Sequence, residues 1–220
     1  MPINSPFCSG IYNEGVTATV SETLSALSPL QAVLPATLTI PDMSEEDFLA
    51  VCAQFPDSLV EYTADGRLII MPPTDQDTSL RNARIIQQLF NWMDAGGKGR
   101  GSESHGGFLL PNGSRVAPDA AWFNEERWNR AAASGRSFPV FAPEFVVELR
   151  SRYDRLADQQ EKMRQYMASG VQLGWLIDPF SKRVEIYRPG RPVEVLESPT
   201  EVRGEGPVEG FVLDLMPIFI

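Results

Sequence analysis

The chain has 220 residues, which suits one large domain or one domain with an appendage. Its hydrophobic fraction of 43% allows a sizeable core, and no apolar run nears the roughly 20 residues that cross a bilayer. A net charge of −10 argues against broad, sequence-independent binding to nucleic acid, but it leaves room for a local basic groove or a metal site. Cys8 and Cys52 give no disulfide or zinc pattern, and the N-terminus has no signal-peptide pattern. We therefore expect a cytoplasmic protein with no membrane segment.

The start of the chain differs in composition from the rest. Residues 1–35 alternate Ser, Thr, Pro and small apolar residues without a sustained period, so we predict an N-terminal arm that is flexible or loosely docked. Residues 36–220 carry periodic patterns and are predicted to form the folded domain. Within them, Ser44 is a candidate N-cap for a helix that ends near Phe55.

Two hairpins and two further helices are predicted next. Strands at 59–62 and 67–71 flank an Ala-Asp-Gly turn, and apolar residues at spacings of three and four predict a helix over 78–93. The dipeptide Asn112-Gly113 lies between apolar runs and predicts the second hairpin. A short helix is predicted over 124–133.

The last part of the chain alternates strands with one helix. That helix is predicted over 155–169, because Gly170 follows as a C-terminal cap residue. Strands are predicted at 144–150, 174–179, 183–187 and 192–196, before an apolar closing segment at 211–220. This order predicts an α/β fold in which helices flank a mixed β-sheet.

The strand at 144–150 carries two unexpected charges. Its Phe, Val, Val and Leu residues are too apolar for a surface strand, yet it contains Glu148 and Arg150. Side chains alternate along a strand, so both charges share one face of the sheet. A buried carboxylate needs a cation or hydrogen-bond donors. Glu148 is therefore either a strand-end residue paired with a nearby arginine or part of a functional site.

Asp119 is a second candidate residue. It follows Pro118 at the head of a predicted strand, where by itself it is typical of a turn. With Glu148 it supplies two carboxylates on neighbouring strands, which suits a hard cation such as Mg²⁺. A bound metal lowers the pKa of a water and stabilises charge on a phosphodiester, and a nearby Lys or Arg adds to that stabilisation.

Several motifs resemble those of one protein family. They are Met-Pro-Pro-Thr at 71–74, Pro-Asp-Ala-Ala-Trp at 118–122, Phe-Val-Val-Glu-Leu-Arg-Ser at 145–151, Glu-Lys-Met-Arg-Gln-Tyr at 161–166, Gly-Val-Gln-Leu-Gly-Trp-Leu-Ile-Asp-Pro at 170–179 and Val-Glu-Ile-Tyr-Arg-Pro-Gly at 184–190. Over about 38–220, the chain resembles the Uma-type family of restriction-endonuclease-like proteins, within the PD-(D/E)XK nuclease superfamily. The resemblance implies a restriction-endonuclease-like α/β core and a metal-dependent endonuclease, a hydrolase acting on nucleic acid, with DNA as the expected partner. It also implies a homodimer.

The resemblance also implies roles for individual residues. Asp119 and Glu148 match the acidic metal ligands for Mg²⁺ or Mn²⁺, with the backbone carbonyl of Leu149 as a further ligand. Arg150 occupies the motif position that is often lysine; it can stabilise charge but stays protonated at neutral pH and cannot act as a base. Lys162, on the following helix, is the candidate replacement.

Other positions leave alternatives open. Tyr166 lies four residues after Lys162 on the same helix face and suits either the site or the edge of the core. Lys162 equally suits a solvated lysine paired with Asp158. Glu61 matches an upstream glutamate that joins the site in related nucleases, although a structural role at the surface is the favoured interpretation. The lone His105, between glycines, is predicted to lie in an exposed loop.

Three functions remain in competition. The first is a Mg²⁺-dependent endonuclease that uses Asp119, Glu148 and either Arg150 or Lys162. The second is a catalytically silent protein of the same fold, a binding or dimerising module, which the acidic charge and Arg150 favour. The third is an unrelated carboxylate hydrolase acting on a small substrate.

Overall fold

A computed structural model describes residues 34–220. The helices are α1 (Glu45–Gln54), α2 (Gln76–Trp92), α3 (Glu125–Ala132) and α4 (Leu156–Ala168), and a π-helical turn, Met93–Gly97, follows α2. The strands are β1 (Ala36–Thr39), β2 (Leu59–Tyr62), β3 (Arg67–Met71), β4 (Arg100–Glu103), β5 (Phe108–Leu109), β6 (Arg115–Val116), β7 (Ala120–Phe123), β8 (Phe145–Leu149), β9 (Leu173–Asp178), β10 (Arg183–Tyr187), β11 (Glu194–Glu197), β12 (Glu201–Arg203) and β13 (Val212–Asp214). The predicted arm, 1–35, lies outside the described residues except for its last two.

The strands form two main sheets rather than the single sheet expected from the sequence. One is a mixed six-stranded sheet in the order β11-β10-β9-β8-β7-β4, in which only β8 and β9 run parallel. The other is an antiparallel five-stranded sheet in the order β1-β3-β2-β6-β5. A small ribbon pairs β12 with β13. The predicted α/β class, with mixed strand directions and flanking helices, is confirmed.

The central strands of the six-stranded sheet are covered on both faces, which explains why β8 and β9 are almost continuously apolar. On one face, Phe145 and Trp175 pack against Ile85 and Leu89 of α2 and against the C-terminal segment through Phe211. On the other, Val146 and Leu176 pack against α3 and α4, which contribute Trp128, Met163 and Tyr166. The site strand β8 is therefore central and buried throughout.

Local signals set the ends of the helices. Ser44 caps α1 by accepting the backbone N–H of Asp47 at 3.0 Å, as predicted. Helix α4 ends at Ala168 with Ser169 as its C-cap, and Gly170 follows with a φ of 104°, a conformation that glycine adopts at little cost. Helix α4 lies close to β9 because Gly174 has no side chain; a Cβ atom there would collide with the methyl group of Met163. This close contact holds α4 in place over the end of β8.

Among residues 34–220, no helix combines the length and apolar character needed to cross a membrane.

The packing of the C-terminal segment can be tested by substitution. Phe211 is 1% exposed and stacks on Trp175, with ring centroids 5.6 Å apart. We expect Phe211→Ala to lower the free energy of unfolding by about 3–5 kcal/mol, because it removes a fully buried aromatic side chain. Urea denaturation followed by tryptophan fluorescence measures this loss. The control is Met216→Ala, at a residue 60% exposed, which should change stability by no more than about 0.5 kcal/mol. Equal effects at the two positions would contradict the described packing.

Candidate active site

The candidate site lies where the chain passes from one sheet to the other. The segment 117–119 leaves β6 in the five-stranded sheet and enters β7 in the six-stranded sheet. Its backbone is held by Glu61 of β2, whose Oε1 accepts the N–H of Ala117 at 2.9 Å. This contact delivers Asp119 to the end of β8, where Glu148 and Leu149 lie. The two sheets therefore each contribute one wall of the site.

A buried ammonium group joins the two walls. Lys162 of α4 places its Nζ 3.0 Å from Oε1 of Glu61 and 2.9 Å from Oε1 of Glu148. The side chains of Glu61 and Glu148 are only 6% and 4% exposed, and that of Lys162 is 18% exposed. Charges so far removed from water are stable only when they are paired. The three charges therefore form one unit that connects a helix to both sheets.

Further hydrogen bonds fix the two predicted carboxylates. The Tyr166 hydroxyl donates to Oε1 of Glu148 at 2.8 Å. Asp119 receives the backbone N–H of Leu149 on Oδ2 at 2.8 Å and the side-chain amide of Asn82 on Oδ1 at 3.1 Å. Each oxygen of Asp119 thus accepts one hydrogen bond, which fixes the orientation of the carboxylate. Each oxygen also keeps a lone pair that is not used.

The protein environment raises the pKa of both carboxylic acids. Burial raises the pKa of Asp119 to about 6, although the Leu149 N–H and the Lys162 charge act in the opposite direction. Burial, together with the charges of Asp119 and Glu61, likewise raises the pKa of Glu148 and outweighs the attraction of Lys162. Burial alone would lower the pKa of Lys162, but its two glutamate partners raise it above its ordinary value. Lys162 therefore stays protonated across the physiological range, and the site has more negative charge than one ammonium balances.

Arg150 lies outside this cluster. Its Nη1 donates to Oδ2 of Asp178 at 2.8 Å and its Nε donates to the carbonyl oxygen of Asp154 at 3.2 Å. β8 ends at Leu149, so the strand alternation expected to place Arg150 on the face of Glu148 stops before it, and the Arg150 side chain turns towards the end of β9. Of the six side chains proposed from the sequence, the structure brings together Asp119, Glu148, Lys162, Glu61 and Tyr166, and it places Arg150 beside Asp178.

One interpretation from the sequence was wrong, and the contacts bear on the alternatives left open at two other residues. Glu61 is 4% exposed and has a buried partner, so the favoured surface role is incorrect. Lys162 is neither solvated nor paired with Asp158, which lies 3.9 Å from Arg155 instead. Tyr166 is 1% exposed and bonds directly to Glu148, so it belongs to the core and to the cluster at once. The prediction for His105 holds: its side chain is 74% exposed.

Two polar residues that the sequence did not single out lie beside the carboxylates. Asn82 of α2 donates to Asp119, and Gln159 of α4 lines the cavity that contains Asp119, Glu148 and Lys162. The Oδ1 of Asn82 and the Oε1 of Gln159 are both buried and have no hydrogen-bond partner among the described residues. An asparagine inside the polar part of an amphipathic helix is a weak signal, so only the structure reveals its role.

Comparison with known proteins gives the chain a family. The family described as "Putative restriction endonuclease", Uma2, matches residues 45–216. The chain belongs to the Uma2 family. Among solved structures, it resembles a crystal structure described as that of a "putative nuclease belonging to DUF820" from Anabaena variabilis. The TM-score is 0.62 at 21% sequence identity, over 73% of this chain and 89% of the other, which shows a shared fold. No curated protein matches the chain.

The Uma2-family match spans the elements that build the cluster. Glu61, Asp119, Glu148, Lys162 and Tyr166 all fall within the matched residues 45–216. The resemblance inferred from motifs is thereby confirmed at the level of family and fold. The roles of the individual side chains rest on the geometry alone.

The raised pKa of Asp119 predicts an unusual dependence of stability on pH. The folded pKa, about 6, lies above the ordinary value of 3.8, so the folded protein holds this proton more tightly than the unfolded chain. The protonated Asp119 contributes fully to the free energy of unfolding below about pH 4, and this contribution is lost as the pH rises to about 6. The loss amounts to at most about 1.4 kcal/mol for each pH unit. In Asp119→Asn this loss is absent, and the amide of Asn82 can rotate to pair with the new side chain.

Urea unfolding of the wild-type protein and Asp119→Asn, at half-unit steps from about pH 2.5 to about pH 7, measures the difference. As the pH rises to about 6, the free energy of unfolding of the variant should increase relative to that of the wild type, and above about pH 6 the difference should stay constant. Asp178→Asn is the control with the opposite sign: hydrogen bonds from Ser181, Arg150 and Phe180 outweigh burial and lower the pKa of Asp178. The advantage of the wild type over Asp178→Asn should therefore shrink as the pH falls below about 4. A difference for Asp119→Asn that does not vary with pH would contradict the burial described.

Proposed function

We propose that this protein is a metal-dependent nuclease that hydrolyses phosphodiester bonds of nucleic acid. The observation that carries the proposal is the convergence of the buried carboxylate of Glu148, the half-buried carboxylate of Asp119 and the paired ammonium of Lys162 in a single cavity at the junction of the two sheets. The family match supports the same chemistry, since the description of the Uma2 family is "Putative restriction endonuclease". Asp119 and Glu148 are the proposed metal ligands, together with the carbonyl oxygen of Leu149, and Mg²⁺ or Mn²⁺ is the proposed cation.

The residues present fit a hard divalent cation. Among residues 34–220, no three His, Cys, Asp or Glu side chains are grouped to hold a metal. Mg²⁺ does not need such a cage, because it is usually bound through one or two carboxylates, several waters and substrate phosphates. The buried acceptor oxygens of Asn82 and Gln159 lack donors among the described residues, and water molecules on a cation would supply donors. The raised pKa of Asp119 is consistent with a site that has room for additional positive charge.

The side chains of the cluster have distinct proposed tasks. When bound, the cation lowers the pKa of a water and neutralises charge that develops on the phosphate. Lys162 stays protonated between Glu61 and Glu148, so it serves as a charged hydrogen-bond donor to the phosphate and not as a base. Tyr166 and Glu61 orient their neighbours: Tyr166 holds Glu148, and Glu61 holds both Lys162 and the segment that carries Asp119. Arg150 is not assigned to the reaction, because its guanidinium is bound to Asp178.

A catalytically silent module is the second candidate. The net charge of −10 favours it, because binding to nucleic acid relies largely on basic side chains. The two candidates differ in their response to metal. Calorimetry with Mn²⁺ should show binding by the wild-type protein and none by Asp119→Asn if the nuclease proposal is correct. A folded wild-type protein that gives no heat with Mn²⁺ and cleaves no substrate would support the silent module.

Cleavage assays test the proposed roles directly. The purified chain is incubated with labelled single-stranded DNA, duplex DNA and RNA in Mg²⁺, in Mn²⁺ or in EDTA. We expect cleavage only with a divalent metal, and a loss of about 100-fold or more in both Asp119→Asn and Lys162→Met, because each removes a group that faces the reacting phosphate. The control is Lys182→Met, which removes the same charge at an exposed turn and should leave the rate unchanged. Thermal unfolding of each variant shows whether the fold is retained. Metal-dependent cleavage at the wild-type rate by folded Asp119→Asn would overturn the assignment.

A further inference from the structure

A large aromatic side chain stands at the mouth of the candidate site. Tyr153 is 72% exposed, and it lines the same cavity, of about 130 Å³, as Asp119, Glu148 and Lys162. It lies on the loop between β8 and α4, five residues after Glu148 in the chain. Neither the sequence motifs nor the proposed reaction uses it. An aromatic ring that faces water beside a cluster of charged groups is available for contact with a ligand.

The loop that carries Tyr153 is held by hydrogen bonds on both sides of the ring. The N–H of Ser151 donates to Oδ2 of Asp154 at 2.7 Å, and the N–H of Tyr153 donates to Oγ of Ser151 at 3.3 Å. Arg150 then anchors the loop to the sheet, through the carbonyl oxygen of Asp154 at 3.2 Å and the carboxylate of Asp178 at 2.8 Å. Arg150 therefore has a positioning role, because it fixes the loop that carries Tyr153. A ring presented by an anchored loop loses little conformational freedom when a ligand binds.

The charges around the cavity mouth give little attraction for a duplex. Lys162 is paired with two glutamates, and Arg150 is paired with Asp178. Arg152 lies 3.2 Å from Asp77 and 3.9 Å from Asp75. Duplex binding gains most of its free energy from contacts between free basic side chains and several phosphates. This mouth, in a chain with a net charge of −10, offers few such contacts. Arg152 and Arg155 are exposed and form only weak surface pairs, so they leave some attraction for phosphates, to which an interaction that does not depend on charge would add.

Stacking on an aromatic ring is such an interaction. Each base stacked on an aromatic side chain contributes about 1–3 kcal/mol, and every base presents a suitable face. In a continuous duplex these faces are covered by neighbouring bases, whereas an unpaired base can reach a protein ring. Pro72 and Pro73 line the same cavity as Tyr153. A base that is not covered by neighbouring bases can therefore reach this ring, whereas a base inside a continuous duplex cannot.

From this geometry, we propose that Tyr153 stacks on an unpaired base beside the scissile phosphate, and that the substrate is single-stranded nucleic acid or an unpaired end. The inference rests on the proposed nuclease function and specifies its substrate class. Cleavage of one strand requires one site, so it does not depend on the homodimer expected from the family resemblance. Tyr153 is the proposed contact with the base, and Arg150 is the residue that positions it.

Binding measurements in EDTA separate stacking from catalysis. Fluorescence anisotropy compares the wild-type protein, Tyr153→Phe, Tyr153→Leu and Tyr153→Ala on a labelled oligothymidylate and on an abasic strand of the same length. The Leu and Ala variants should bind oligothymidylate about 5- to 150-fold more weakly than the wild type, while Phe, which keeps the ring, should bind like the wild type. All four proteins should bind the abasic strand equally weakly. Equal binding of oligothymidylate by the Ala variant and the wild type would overturn the role of Tyr153.

Cleavage with Mg²⁺ then distinguishes failure of this inference from failure of the proposed function. We expect kcat/KM to be higher on a single strand than on a hairpin duplex of the same sequence, and to fall in the Leu and Ala variants on the single strand. If the wild type prefers the duplex, or if folded Tyr153→Ala cleaves the single strand at the wild-type rate, the substrate class is wrong while the nuclease proposal stands. If the wild type cleaves no strand of any kind, both proposals fail.

Discussion

The ammonium group of Lys162 is the contact on which the candidate site depends. It lies between a glutamate of the five-stranded sheet, Glu61, and a glutamate of the six-stranded sheet, Glu148. None of the three is stable in a buried environment by itself, so removing one partner leaves an uncompensated charge, at a cost of about 3–5 kcal/mol. The position of α4, the angle between the sheets and the orientation of the carboxylates are therefore linked. Tyr166 and the backbone of Ala117 extend the same network by hydrogen bonds.

The location of the cluster was accessible from the sequence, but its full membership was not. Glu148 lies inside an apolar strand and therefore requires a partner. Because Arg150 occupies the motif position that is often lysine, Lys162 became the candidate for the role of that lysine. The favoured surface role of Glu61 was wrong, because the local sequence of its strand gives no sign of a buried partner. Its burial depends on β6 and on the crossover to Asp119, which are more than 50 residues away in the chain (117 − 61 = 56). Asn82 was missed because nothing in a helical pattern marks an asparagine that faces a distant carboxylate.

The secondary structure shows the same division between local and distant causes. Strong local patterns predicted the bounds of four elements to within a residue or two of those observed, namely β2, β3, α4 and β10. The edge strand β4 was not predicted, because Arg-Gly-Ser-Glu has neither alternation nor β-branched residues; it forms through pairing with β7. The separation into two sheets also lacks a local signal. It follows from the passage of 117–119 between them, which only the assembled fold defines.

The three paired charges have a consequence for the order in which the protein becomes functional during synthesis. Glu61 and Lys162 are separated by 101 positions (162 − 61), and α4 is made after both sheets have begun to form. A nascent chain that has not yet emerged beyond α4 carries Glu61, Asp119 and Glu148 without their cation, and their mutual repulsion opposes assembly of the pocket. The last partner to leave the ribosome is thus the one that closes the site. A function that depends on this cluster would therefore be acquired only after α4 has been synthesised.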